Sequence, residues 1–111
     1  MTKHACLGFA VLLALSCSPP KPTVPALNPE QAASLLQFNN RAQGWLTYVK
    51  KNNATCQYRL DLPDQSSNPT TIDLDHIVVC GGRPAPKEFD ASVSFEYDKA
   101  AGTWKITRFA S

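Results

Sequence analysis

At Ala54 the spacing of apolar residues changes from a helical period to a strand period, and no other feature of the chain narrows its fold so far. Before that point Leu35, Phe38, Ala42, Trp45 and Val49 recur at intervals of three and four, with Leu36 and Leu46 widening the stripe. Asn28-Pro29-Glu30-Gln31 opens the segment with an N-cap residue, a proline at the first helical position, an acid facing the helix dipole and a glutamine placed for a capping box. Lys50-Lys51 complement its carbonyl end, and Asn52 or Asn53 suits a left-handed cap. The spacing predicts one helix of about 24 residues with a soft point at Gly44.

Beyond Ala54 the period is two. Cys56, Tyr58, Leu60 and Leu62 alternate with polar neighbours, and Thr71 to Cys80 alternates with an apolar second face in its distal half. Phe89 to Tyr97 and Thr103 to Phe109 read as two more strands, joined through Asp98-Lys-Ala-Ala-Gly102 as a hairpin. Gly81-Gly-Arg-Pro-Ala-Pro86 is expected as a loop. A single amphipathic helix followed by four strands buries its stripe by lying across the sheet. The expected fold is therefore α+β, one long N-terminal helix packed on a four-stranded antiparallel meander.

The N-terminus has a different composition. A basic start, Met1 to His4, precedes eleven apolar residues from Ala5 to Leu15, long enough as helix for only about 16 Å, or half a bilayer core. That pattern reads as a secretory signal peptide. Leu13-Ala14-Leu15-Ser16-Cys17 resembles a bacterial lipobox, although Ala14 stands where that family prefers leucine. The resemblance implies lipid on Cys17, attachment to a membrane and, through Ser18 in place of an aspartate, an outer-membrane location facing the periplasm. Ser18 to Pro25 carries four prolines and suits an extended tether. The chain thus divides into a signal peptide at 1–16, a tether at 17–27 and a folded domain at 28–111.

With Cys6 lost in the signal and Cys17 taken by lipid, Cys56 and Cys80 remain, and in an oxidising compartment they are expected to form a disulfide. Setting Cys56 opposite Cys80 in an antiparallel hairpin also sets Tyr58 opposite Val78, Leu60 opposite His76 and Leu62 opposite Leu74. The turn then centres on Asn68, in the stretch richest in turn formers.

The element order, with Val93-x-Phe95-x-Tyr97 and Gly102-x-Trp104-Lys105-Ile106 across the last turn, resembles the cystatin-like and nuclear-transport-factor-like superfold. That resemblance implies a long helix gripped by a curved sheet. The cystatin signature Gln-x-Val-x-Gly is absent, so no inhibitory role carries over.

Eleven basic and nine acidic residues give a formal charge of +2, without a basic stripe for phosphates, and exclude nucleic acid as an expected partner. Asp73, Asp75 and His76 form the one stretch with chemical character, yet strand alternation sends His76 to the face opposite the two aspartates. Arg59 and Asp61 are placed to pair with those aspartates across strands. No nucleophile has a base placed by sequence, and no catalytic residue, metal site or cofactor is assigned. Arg83, in the 81–88 loop, is a candidate partner contact, and Trp45, Tyr48 and Trp104 are candidates to line a cleft between helix and sheet. The expected function is a non-catalytic binding or structural module that meets envelope proteins or glycans through its sheet face or that loop. The alternative is a small-ligand or enzymatic domain using a helix–sheet cavity with Asp73, Asp75 or His76 as acid–base groups.

Overall fold

The computed structural model describes residues 23–111. The expected signal peptide, Cys17 and most of the tether lie outside the described residues. Within them the chain forms α1 (Pro29–Gln37), α2 (Asn40–Asn52), β1 (Cys56–Tyr58), β2 (Thr71–Leu74), β3 (Val78–Cys80), β4 (Arg83–Pro84), a 3-10 turn (Lys87–Phe89), β5 (Ser92–Asp98) and β6 (Thr103–Ala110). The strands make two three-stranded sheets, here called I (β1-β3-β4) and II (β2-β5-β6). The single long helix and the four-stranded meander are both overturned.

The helix divides at Phe38 and Asn39. Asn39 has extended backbone, and its side chain accepts from Ala42 N–H at 2.9 Å, which is an N-cap in the middle of the apolar stripe. Gln43 closes the other side of the break by donating Nε2 to the Leu36 carbonyl at 3.1 Å. The bend leaves Phe38, expected on the buried stripe, 80% exposed, while Leu36 turns inward. Gly44 sits inside α2 and takes no part in the break. At the other end Asn53 is extended, not left-handed. Asn28 caps α1 as its type requires, accepting from Gln31 N–H at 2.7 Å.

The expected strand Thr71–Cys80 also splits. Tyr58 pairs with Val78 and Cys56 with Cys80, and the Cys56–Cys80 disulfide closes the pair. The register then stops: β2 leaves β1 and pairs with β5, Ile72 opposite Phe95 and Leu74 opposite Val93. Leu60–His76 and Leu62–Leu74 never meet as cross-strand partners. Continued alternation would have driven His76 into the apolar face, and burying an imidazole without a partner is costly. Instead His76 takes a left-handed conformation, φ 56°, and turns out, while Ile77, Val78 and Val79 are buried in succession.

The expected loop at 81–86 holds a two-residue hairpin. Gly81 and Gly82 both have positive φ, 63° and 78°, the conformation of a primed turn, so Arg83 pairs with Cys80 and Pro84 with Val79. In sheet II a β-bulge at Thr107 changes the phase of β6: Phe95 faces Ile106, but Ser94 faces Arg108. Without the extra residue Arg108 would follow Trp104 and Ile106 on the inner face. With it, Phe109 goes in.

One core serves both sheets and both helices, with Phe95, Trp104 and Val93 from sheet II, Cys56 and Val78 from sheet I, and Ala32, Leu36 and Val49 from the helices. Tyr58 of sheet I meets Phe109 of sheet II edge-on, ring centroids 6.0 Å apart, and donates its hydroxyl to the Ala42 carbonyl at 2.6 Å. Packing begins before α1. Leu27 is buried and held at both backbone groups by the Gln65 amide at 2.8 Å, and Trp104 Nε1 donates to the Pro25 carbonyl at 2.8 Å. No helix among the described residues is long and apolar enough to cross a membrane.

Candidate functional site

Asp73, Asp75 and His76 lie where β2 ends, and the structure gives each a different environment. Asp73 points to the outer face of sheet II and accepts from the buried Ser94 hydroxyl at 2.6 Å, its cross-strand partner. Asp75 is exposed. His76, with its side chain 82% exposed, bonds through Nδ1 to Oδ2 of Asp90, the residue that follows the 3-10 turn. An ionised carboxylate only accepts, so Nδ1 carries the proton and Nε2 is left toward solvent. The hydrogen bond to Asp90 and then the Asp90 charge hold the imidazole above its usual value near 6.5 against a weaker opposing effect of burial, and the Asp75 charge adds a still smaller push in the same direction as Asp90.

The expected pairing of Arg59 and Asp61 with those aspartates does not occur. Arg59 and Asp61 pair with each other at 3.4 Å, both exposed, because β1 and β2 belong to different sheets. Arg83 is exposed on the short β4, and no hydrogen bond or ion pair among the described residues links it to Asp73, Asp75 or His76. Among the described residues no group of three or more potential metal ligands comes together.

The aromatic candidates divide as well. Trp104 is 2% exposed and fills the core. Trp45 and Tyr48, three apart on α2, meet at a ring-centroid distance of 5.1 Å, and Phe89 approaches Tyr48 edge-on at 6.4 Å. Trp45 Nε1 donates to the Phe89 carbonyl at 3.1 Å, which fixes the indole plane. Tyr48 remains 51% exposed, so these three rings make an aromatic corner at the surface.

A separate open groove of about 350 Å³ lies where α1, α2 and β1 converge, lined by Ala33, Leu36, Gln43, Tyr58, Arg59 and Leu60 among others. Burial pushes the Tyr58 phenol well above its ordinary value, so it stays a neutral donor there.

Sequence reasoning missed Asp90 and Phe89. Phe89 and Asp90 read as the start of a strand; in fact they close the 3-10 turn, and the partner of Asp90 lies 14 residues away with no pattern to announce it. Pro86, which caps that 3-10 turn, was the available hint that the chain is not yet in a strand there. Comparison with protein-family models, curated proteins and solved structures finds no match to this chain.

Proposed function

We propose that this chain is a lipid-anchored cell-envelope protein whose folded domain is a non-catalytic binding module, held to the membrane through Cys17 and presenting its aromatic corner to an envelope protein or glycan. The observation that carries the binding role is the corner itself. Trp45, Tyr48 and Phe89 are mutually packed, the indole is oriented by a hydrogen bond, and Tyr48 keeps half its surface in solvent. Rigid, exposed aromatic side chains give up little conformational entropy on binding and are enriched at binding sites. The apolar run before Cys17 and the proline-rich stretch after it support the anchor.

Membrane fractionation of cells expressing the full chain tests the anchor: Cys17→Ala moves the protein out of the membrane fraction, and unchanged partitioning rejects the lipid. Crosslinking in the envelope, followed by recovery of the protein, tests the corner. Tyr48→Ala, on an exposed face, leaves the fold intact and loses the crosslinked species; equal recovery of one specific partner from wild type and variant ends the assignment to this surface.

The groove between the helices and β1 favours a second reading, a small apolar ligand seated against Leu36 and Tyr58 with Arg59 at the margin. None of Asp73, Asp75 or His76 lines it, so acid–base chemistry from those residues has no place in that reading.

A further inference from the structure

Two of the passages that carry the chain between its sheets run side by side and are tied to one another. Residues 75–77 lead from β2 in sheet II to β3 in sheet I, and residues 85–91 lead back from β4 to β5. Ile77 N–H donates to the Ala91 carbonyl at 3.1 Å, and beside that bond His76 Nδ1 donates to Asp90 Oδ2. Asp90 is also a local organiser: its Oδ1 accepts from Ala91 N–H at 2.8 Å, and its own N–H closes the 3-10 turn on the Lys87 carbonyl at 3.2 Å. His76 reaches it from a left-handed backbone, a conformation that side-chain-bearing residues rarely hold without compensation.

We propose that the His76–Asp90 pair is a pH-sensitive clasp that fastens the two crossings between the sheets. In acid the imidazolium donates a charge-assisted bond to the carboxylate; when the imidazole loses its proton, the bond loses that assistance. Asp90 and Asp75 are the charged groups acting on the ring, and both favour its protonated form. The folded-state value is raised, so the clasp contributes fully below about 6.5 and fades as pH rises through the higher folded value. Loosening is passed on locally. Asp90 follows Phe89, whose carbonyl orients Trp45, so the clasp also sets how firmly the aromatic corner is held. It acts on the fold itself, whatever meets that corner.

The test uses the full chain in detergent. Thermal unfolding is followed between pH 5 and pH 8 for wild type, His76→Asn, which retains tolerance for the left-handed backbone, and Asp90→Asn, alongside an NMR titration of the His76 ring. The wild-type advantage in Tm over His76→Asn, on the order of 2 °C at pH 5, shrinks toward pH 8. The ring titrates above 6.5 in wild type and closer to 6.5 in Asp90→Asn. A Tm gap that does not vary with pH, or an unchanged midpoint in Asp90→Asn, overturns the clasp. Should either variant fail to fold, the wild-type midpoint alone decides, since a value at or below 6.5 is incompatible with a bond that favours the imidazolium.

Discussion

Sheet I has strands of three, three and two residues, whereas those of sheet II have four, seven and eight. Strands as short as those of sheet I make few ladder hydrogen bonds and would be marginal alone. A disulfide between directly opposed residues and a Gly-Gly turn hold them in register. Sheet II has no covalent link. Its register is set by what it buries: Val93 and Phe95 on β5, Trp104 and Phe109 on β6, with a bulge at Thr107 inserted so that Phe109 faces in. One sheet is closed by a bond and the other by its apolar content. The two therefore respond to different perturbations.

The largest expected loss follows from emptying the core of sheet II. Trp104→Ala removes a buried indole and its bond to the Pro25 carbonyl, and the cost by denaturant unfolding is roughly 3–5 kcal/mol. A cost under about 1 kcal/mol would mean that sheet II does not depend on burial. Next comes the staple of sheet I. Replacing Cys56 and Cys80 together by alanine opens a loop whose ends are 24 residues apart and lowers stability by about 3.5 kcal/mol in the chain-entropy view. Amide exchange sharpens the contrast, because Val79 and Cys80 in the double variant lose protection well before Phe95 does. Uniform loss across both sheets would show that they open as one unit. The smallest effect lies outside either sheet and serves as a control: Gly44→Ala, on an exposed helical face with nothing within 4 Å of the added Cβ, raises stability by about 0.5–1 kcal/mol. A loss there would mean that α2 needs the glycine.

The same division governs what could be read from the chain. Local chemistry was legible: Asn28-Pro29 starts α1, Asp98 to Gly102 turns β5 into β6 with Gly102 at φ 71°, and Cys56 sits opposite Cys80. Choices made by tertiary contacts were not. Asn39 looks like a polar interruption on a helical stripe until Ala42 N–H is seen to need a cap. His76 fits the alternation of a single long strand, yet its left-handed backbone and exposed ring mark the point where that strand breaks in two. Once β2 pairs with β5, the meander becomes two sheets. Of the candidate residues, Asp75 and His76 do share one corner of the molecule, but Asp90 completes it from a distance in sequence that no periodicity spans.

The side-chain amide of Gln65 holds both the N–H and the carbonyl of Leu27, as a neighbouring strand would, and Trp104 holds the carbonyl of Pro25. Tension applied along the chain from its N-terminal side is therefore borne first by Trp104 in β6 and by the turn that Asn68 N–H closes on the Gln65 carbonyl, and reaches α1 only after those bonds yield. The domain is therefore held mechanically at sheet II and at the turn that leads into it, and not at its first helix.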